Sequence, residues 1–270
     1  MTGLSFPEVN AVRSFGYLGT MILFVLFQGK GITLMETYAF LLLTGSTLLG
    51  NVIGDVLYLS SIDKIGVGRA VAVTSTYPLV VTAFSAIWLK ETVTVPILIG
   101  TVSVILGLNL LCKERGSGPE GNQTKKGFFL ALATALCWGI SIPMTRWLLL
   151  DTGLSSMDLN FWRAIIFLPS VWILWILRCR LGYHSPRRVA RLPLRTWLEL
   201  NAAGAIALAL GGTFLAGALQ RAPASVVTPI TASSPLISTL LAIVLMGEKS
   251  TRRQWAGIVL IVVGSAVISA

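Results

Sequence analysis

The chain has 270 residues, 54% of them hydrophobic and only 12% charged, with a formal net charge of +10 and a mean hydropathy of +0.80. Soluble domains carry about 25% charged residues, so this composition argues against a soluble fold and for a protein embedded in lipid. The positive residues sit in short loops between apolar runs with no polar domain to present them, which argues against nucleic acid as a partner, and Cys112, Cys137 and Cys179 are too scattered for a disulfide framework or a metal site.

Taken in chain order, residues 1 to 10 lack the basic start and apolar core of a signal peptide. Nine apolar stretches then recur: 11–28, 37–60, 67–89, 93–112, 127–150, 159–177, 197–219, 223–246 and 254–270. Each is long enough to cross a hydrocarbon core of about 30 Å. They are continuously apolar rather than alternating, and in lipid only helices or closed barrels satisfy every backbone group, so an all-α membrane protein of about nine transmembrane helices is expected.

The second stretch carries Thr47, Asn51 and Asp55 at a spacing of four, which stacks them on one face of an α-helix beside a Gly50/Gly54 surface for close approach. An acid within a span costs on the order of 2.5 to 3.5 kcal/mol on insertion scales, so Asp55 calls for a partner, water or a proton. It is the candidate for proton coupling or for recognising a cationic substrate; solvation at the cytoplasmic boundary, or pairing with Lys64 or Arg69, is the plainer account.

The third stretch reads Thr74-Ser75-Thr76-Tyr77-Pro78, and the eighth contains Thr228-Pro229-Ile230-Thr231-Ala232-Ser233-Ser234-Pro235. Proline removes a backbone donor and frees a carbonyl one turn earlier, and hydroxyls beside it either satisfy the helix or face a substrate. Small hydroxylated residues also simply permit tight helix packing. Their matching positions in two halves of the chain favour a cavity lining, with Asn51, Thr74, Thr76, Thr228, Thr231 and Ser233 as hydrogen-bonding groups. Tyr77 supplies an aromatic wall, and Trp138 with Arg146 of the fifth stretch could close the same space.

Those halves are two copies of one unit. Thr2-Gly3-Leu4-Ser5, Glu8, Asn10 and Arg13 recur 150 residues later as Thr152-Gly153-Leu154-Ser155, Asp158, Asn160 and Arg163. Gly54, Thr74, Pro78, Glu91, Gly100 and Gly107 recur at an offset of 157 as Gly211, Thr231, Pro235, Glu248, Gly257 and Gly264. The first copy occupies 1–112 with four helices, a polar glycine-rich linker occupies 113–126, and the second copy occupies 127–270 with five. The second copy has an apolar helix ahead of its Thr-Gly-Leu-Ser and the first does not, so the first helix of copy one is expected to be missing. A five-helix unit is odd in number, so successive copies cross the membrane in opposite senses; such inverted repeats place a substrate site near the midplane and alternate its access.

With a cytoplasmic N-terminus, one face carries sixteen Lys and Arg residues and the other only Lys30, Lys90, Arg146, Arg163 and Arg221, which places the basic loop Arg178 to Arg195 inside and the C-terminus outside. That loop is read as a topology determinant touching anionic headgroups. Trp147, Trp162, Trp172, Trp175, Trp197 and Trp255 suit interfacial anchoring. Arg13 and Arg163 are expected as headgroup anchors, with a gating ion pair as the sharper alternative, and Glu91 and Glu248 as partners of the adjacent Lys90 and Lys249. The only histidine is His184 in the basic loop, and no nucleotide loop, HExxH or Ser/His/Asp set is present, so no catalytic residues are assigned and no cofactor or metal is expected. A membrane-embedded enzyme would need facing pairs of intramembrane acids or histidines; a passive channel would show flux that neither saturates nor exchanges.

Two units, each with a small-residue helix, a helix holding a central Pro and ending in Lys90-Glu91 or Gly247-Glu248, and a final helix with glycines seven apart, resemble the EamA-type drug/metabolite transporters over nearly the whole chain. The resemblance implies ten helices in a five-plus-five inverted repeat, both termini cytoplasmic, and ATP-independent movement of small metabolites, often outward. This chain departs from it in the first helix and in the predicted outside C-terminus. The expectation is a multi-pass plasma-membrane secondary transporter, an exporter acting as a monomer by alternating access, with a small-molecule substrate and the lipid bilayer as its partners.

Overall fold

The computed structural model describes residues 4, 6–29, 31–112, 122–181, 189, 192–246 and 251–269. Within them the chain is helical: α1 is Phe6–Gln28, α2 Thr37–Ile65, α3 Val67–Thr74, α4 Tyr77–Phe84, α5 Val95–Cys112, α6 Asn122–Thr152, α7 Ser156–Arg180, α8 Leu194–Arg221, α9 Ala224–Ala232, α10 Ser234–Met246 and α11 Arg252–Ser269. Seven segments are long and apolar enough to span a membrane, counting Val67–Leu89 as one, and Val95–Leu111 and Ala224–Ile237 are shorter apolar helices. The nine expected stretches are therefore all helical. The all-α membrane class stands.

The boundaries differ in instructive ways. The polar stretch read as a linker is helical from Asn122, while 113–121 lie outside the described residues. The third and eighth stretches are each interrupted, after Thr74 and after Ala232. Pro78 and Pro235 cannot supply the N–H that an unbroken helix needs, and the chain closes tighter turns instead, from the Leu79 N–H to the Thr76 carbonyl (3.0 Å) and from the Leu236 N–H to the Ser233 carbonyl (2.8 Å). Two seven-residue π-helical segments, Leu48–Gly54 in α2 and Gly204–Leu210 in α8, and a shorter one at Ser85–Leu89 widen other turns.

The recurring Thr-Gly-Leu-Ser motif is a helix stop followed by a helix start. Gly153 takes φ +63°, a left-handed conformation that ends α6 at little steric cost. Two residues on, the Ser155 hydroxyl caps α7 by accepting the Asp158 N–H (3.0 Å) and itself donates to the Asp158 carboxylate (2.8 Å). Of the first-copy counterpart, Thr2, Gly3 and Ser5 lie outside the described residues.

The chain forms two compact units, residues 1–52 with 144–221 and residues 53–143 with 222–270, each drawing helices from both halves of the sequence. In the first unit, Tyr17 and Met21 of α1 pack with Phe161, Ala164, Phe167 and Val171 of α7 and Ala209 of α8. One buried polar residue organises this core. Asn160 accepts the Tyr17 hydroxyl (2.5 Å), and its amide lies within reach of the carbonyls of Leu208 (3.1 Å) and Ala209 (3.0 Å) and the Thr213 hydroxyl (2.9 Å). The two carbonyls belong to the π-helical stretch, where they also accept from the Gly211 N–H and the Thr213 hydroxyl, so the amide adds a bond between helices to groups their own helix already pairs. A Cβ on Gly212 would lie 2.9 Å from Asn160 Oδ1. A side chain at position 212 would displace Asn160.

In the second unit, α5 and α11 meet backbone to backbone. A Cβ on Gly107 would lie 2.7 Å from the Gly257 carbonyl oxygen, and one on Gly264 would lie 2.8 Å from that of Gly100, so the helices run antiparallel with glycine facing glycine at both levels. Val104, Leu108, Leu111, Ile258 and Ile261 fill the space around that contact.

Two stability outcomes follow. Gly107→Val should destabilise the protein in detergent by about 1 to 3 kcal/mol, the ordinary cost of overpacking, whereas Gly19→Ala, with nothing within 4 Å of the new methyl, should not lower the midpoint; equal thermal midpoints for both variants would refute the close approach. Asn160→Ala removes one donor from each of two carbonyls, which keep the Gly211 N–H and the Thr213 hydroxyl, together with the side-chain acceptor of Tyr17, and should cost about 1 to 3 kcal/mol, more than Tyr17→Phe, in the same measurement.

Candidate functional site

The two interrupted spans come together around one cavity of about 190 Å³ in the second unit. Thr74, Ser75 and Tyr77 line it from the α3–α4 break, and Thr231, Ala232, Ser234 and Pro235 from the α9–α10 break. Tyr58 of α2, Val71 of α3 and Trp138 of α6 complete the wall. Trp138 is the centre of an aromatic cluster, its ring centroid 5.1 Å from that of Tyr58 and 5.7 Å from that of Tyr77, the latter edge to face. A Cβ on Gly139 would strike the Val80 side chain, so glycine beside Trp138 lets α6 lie close to α4.

Of the nine residues singled out from the sequence, Thr74, Tyr77, Trp138 and Thr231 line this cavity and five do not. Thr228 is fully buried, and its hydroxyl donates to the Ala224 carbonyl at 2.6 Å. The Thr76 and Ser233 hydroxyls donate to the Val73 (2.7 Å) and Ile230 (2.6 Å) carbonyls, one turn back at each break. Asn51 belongs to the first unit and Asp55 to the second, both half-buried. The four-residue stripe expected through Thr47, Asn51 and Asp55 is not a straight face, because the π-helical Leu48–Gly54 turn bonds i to i+5 and rotates the register.

The cavity also contains groups that spacing arguments passed over. Tyr58 lies three residues after Asp55, about one turn on, whereas a continued spacing of four reaches Leu59, so the stripe carries no signal for it. Ser75 and Ser234 sit inside the hydroxylated runs already noted. The Thr74 hydroxyl donates to the Ala70 carbonyl (2.8 Å), Ser75 to Val71 (2.5 Å) and Thr231 to Thr228 (3.0 Å) and Val227 (3.1 Å). Each donor is thereby satisfied within its helix while oxygen lone pairs remain for a ligand. Among the described lining residues no side chain is charged.

The arginines behave differently from the sequence expectation. Arg163 is not a headgroup anchor: it is 7% exposed, and its guanidinium donates to the Thr145 hydroxyl (2.7 Å), which lies 3.1 Å from the Ser46 hydroxyl. Arg146 donates to the Leu219 carbonyl and is not among the residues around the Trp138 cavity. Glu91 reaches the start of α9. Glu248, Lys249, His184 and half of the basic loop lie outside the described residues.

The pattern of the EamA-like transporter family matches residues 1–112 and 125–270, nearly the whole chain. The protein belongs to that family. A Bacillus cereus protein named "Putative sugar uptake protein" is 27% identical over 227 residues, covering 80% of this chain and 74% of its own. An uncharacterized transporter of Archaeoglobus fulgidus is 23% identical over 222 residues, 82% of this chain and 73% of its own. A solved crystal structure superposes with a TM-score of 0.80 at 19% identity, covering 99% of this chain and 90% of that one, which shows the fold. The protein is thus a multi-pass transporter of the cell membrane with a small-molecule substrate.

The geometry predicts a pattern of aqueous access. With Cys112, Cys137 and Cys179 replaced, a thiol introduced by Ser234→Cys should react with a water-soluble maleimide in membranes, while one introduced by Thr228→Cys should not; the reverse order would place the cavity elsewhere.

Proposed function

We propose that this member of the EamA-like transporter family carries a small neutral polyhydroxylated solute, a sugar, through the Trp138 cavity. The observation that carries this reading is the lining itself: Tyr58, Tyr77 and Trp138 offer aromatic faces, Thr74, Ser75, Thr231 and Ser234 offer hydroxyls, and no ionised group is among them. Stacked C–H faces and paired hydroxyls suit a sugar ring, whereas a fully ionised solute would enter without a countercharge. A cavity of about 190 Å³ suits a single small metabolite. The Bacillus relatives, named for sugar uptake, support the same class.

The protein acts as a monomeric secondary carrier by alternating access, with no enzymatic step. The helix breaks at Thr74–Tyr77 and Ala232–Ser234 are interruptions of the kind that line transporter sites, which supports a carrier over a passive channel or a membrane-embedded enzyme. Gradients set the direction of a reversible carrier, so export and uptake are separated by loading one side. Asp55, three residues before Tyr58 on α2 and not itself in the lining, is the proton-coupling group. A quaternary ammonium solute is the second reading, favoured by the three aromatic faces, which attract cations.

Proteoliposomes test both. Labelled hexoses and pentoses should enter saturably and exchange with internal sugar, and Trp138→Ala or Thr231→Val should reduce kcat/KM by about tenfold or more, the scale of one lost stacking or hydroxyl contact. Asp55→Asn should abolish acceleration by an imposed proton gradient. No sugar flux together with saturable choline flux would transfer the assignment to the second reading; an intact gradient response in Asp55→Asn would remove the coupling role.

A further inference from the structure

Helix α9, which brings Thr231 and Ala232 to the cavity, does not cap its own start. Its N-cap is Pro223, which forms no side-chain cap. The first N–H groups of any helix lack intrahelical acceptors and carry its positive dipole end, so an acceptor must come from elsewhere. It comes from Glu91, more than 130 residues earlier in the chain: one carboxylate oxygen accepts the Ala224 N–H (2.9 Å), and the other accepts the Ser225 N–H (3.2 Å) and the Ser225 hydroxyl (2.9 Å). Charge-assisted bonds of this kind are about twice as strong as neutral ones.

The segment before Glu91 is built to aim it. The π-helical Ser85–Leu89 stretch prolongs α4, Lys90 turns the chain with φ +52°, and the Glu91 N–H returns to the Ser85 carbonyl (3.2 Å). A left-handed lysine is unfavourable in the absence of a constraint, and here it throws the carboxylate toward α9. Glu91 therefore ties α4, whose first residue Tyr77 lines the cavity, to α9, whose last turn lines it from the other side. The nine residues of α9 span roughly 13 Å at the usual rise, with Pro229 inside the helix, so its start lies within three turns of Thr231 at its end.

We infer that Glu91 is a positioning residue for transport: its carboxylate latches the start of α9 to the end of α4, holds the two cavity walls in register, and must loosen for the cavity to open. The inference rests on the cavity being the transport site, but its first test needs no substrate. In a chain with Cys112, Cys137 and Cys179 replaced, Thr231→Cys places a thiol in the cavity and Asp63→Cys places one on the exposed last turn of α2. Glu91→Gln puts an amide N–H₂ where one acceptor was, so it should speed N-ethylmaleimide labelling at position 231 by roughly tenfold, the equivalent of one charge-assisted bond, and leave labelling at 63 unchanged. Ser225→Ala deletes one of the three donors and should move the rate at 231 in the same direction by less.

Unchanged labelling at 231 in Glu91→Gln overturns the latch. Where that variant fails to accumulate in membranes, unchanged labelling in Ser225→Ala overturns it equally. Hexose uptake is then measured on Glu91→Gln and Ser225→Ala with Thr231 intact, where a latch predicts a KM shifted more than kcat. A labelling response without sugar flux in any background leaves the latch standing and removes the sugar assignment. Sugar flux without a labelling response does the opposite.

Discussion

Lipid offers helices no hydrophobic reward for touching each other, so association in this protein rests on how closely backbones can approach. The contact between α5 and α11 is the clearest case: Gly100 with Gly264 and Gly107 with Gly257 remove the side chains that would hold the two helices apart. Dispersion contacts of Val104, Leu108 and Ile261 become available only once that approach is made. Leu111 and Tyr77 belong to the same packed cluster, so the wall of the cavity is anchored to the glycine contact. Similar close approaches recur in the first unit, where Gly16 faces the Asn201 backbone and Gly204 faces that of Arg13.

The second constraint is polar. Most hydroxyls within the spans, such as Thr74, Thr82, Thr101 and Thr228, donate to carbonyls of their own helix four residues back and cost the fold little. Residues that bond between helices do more. Asn160 joins α1, α7 and α8 by donating to carbonyls at a π-helical segment, and Glu91 supplies the cap that α9 lacks. Proline has the reverse effect at the two breaks, where a missing N–H opens the helix beside the cavity. The cavity is therefore a place where backbone regularity is given up in two spans at once, next to aromatic and hydroxyl groups able to receive a solute.

Much of this was legible from residue order. Nine apolar stretches, the Pro-linked hydroxyl runs and the glycines seven apart are local patterns with direct physical meaning in lipid, and four of the nine proposed site residues reached the cavity. The residues that lie elsewhere do so for related reasons. The stripe through Asn51 and Asp55 assumed α-helical pitch, and Leu48–Gly54 is π-helical. Arg163 stands near a predicted helix start, which suggests the headgroups, yet Thr145 and the packing of α7 draw it into the first unit. Thr76, Thr228 and Ser233 have the right chemistry, but one residue of helix is about 100° of rotation, which turns neighbours to different faces.

Sequence by itself determined the class of the protein: composition decides the solvent and continuous apolar runs decide helices, while Pro78 and Pro235 allow two breaks that Pro143, Pro169 and Pro229, inside continuous helices, do not produce. Tertiary structure alone decided which faces meet. It brought Tyr58, Tyr77 and Trp138 around one space, set Asn160 against the carbonyls of Leu208 and Ala209, and carried Glu91 to Ala224. The reason is that spans, breaks and charge bias are local properties of the chain, whereas the partner of a side chain depends on helix rotation and pitch, which packing between distant segments sets.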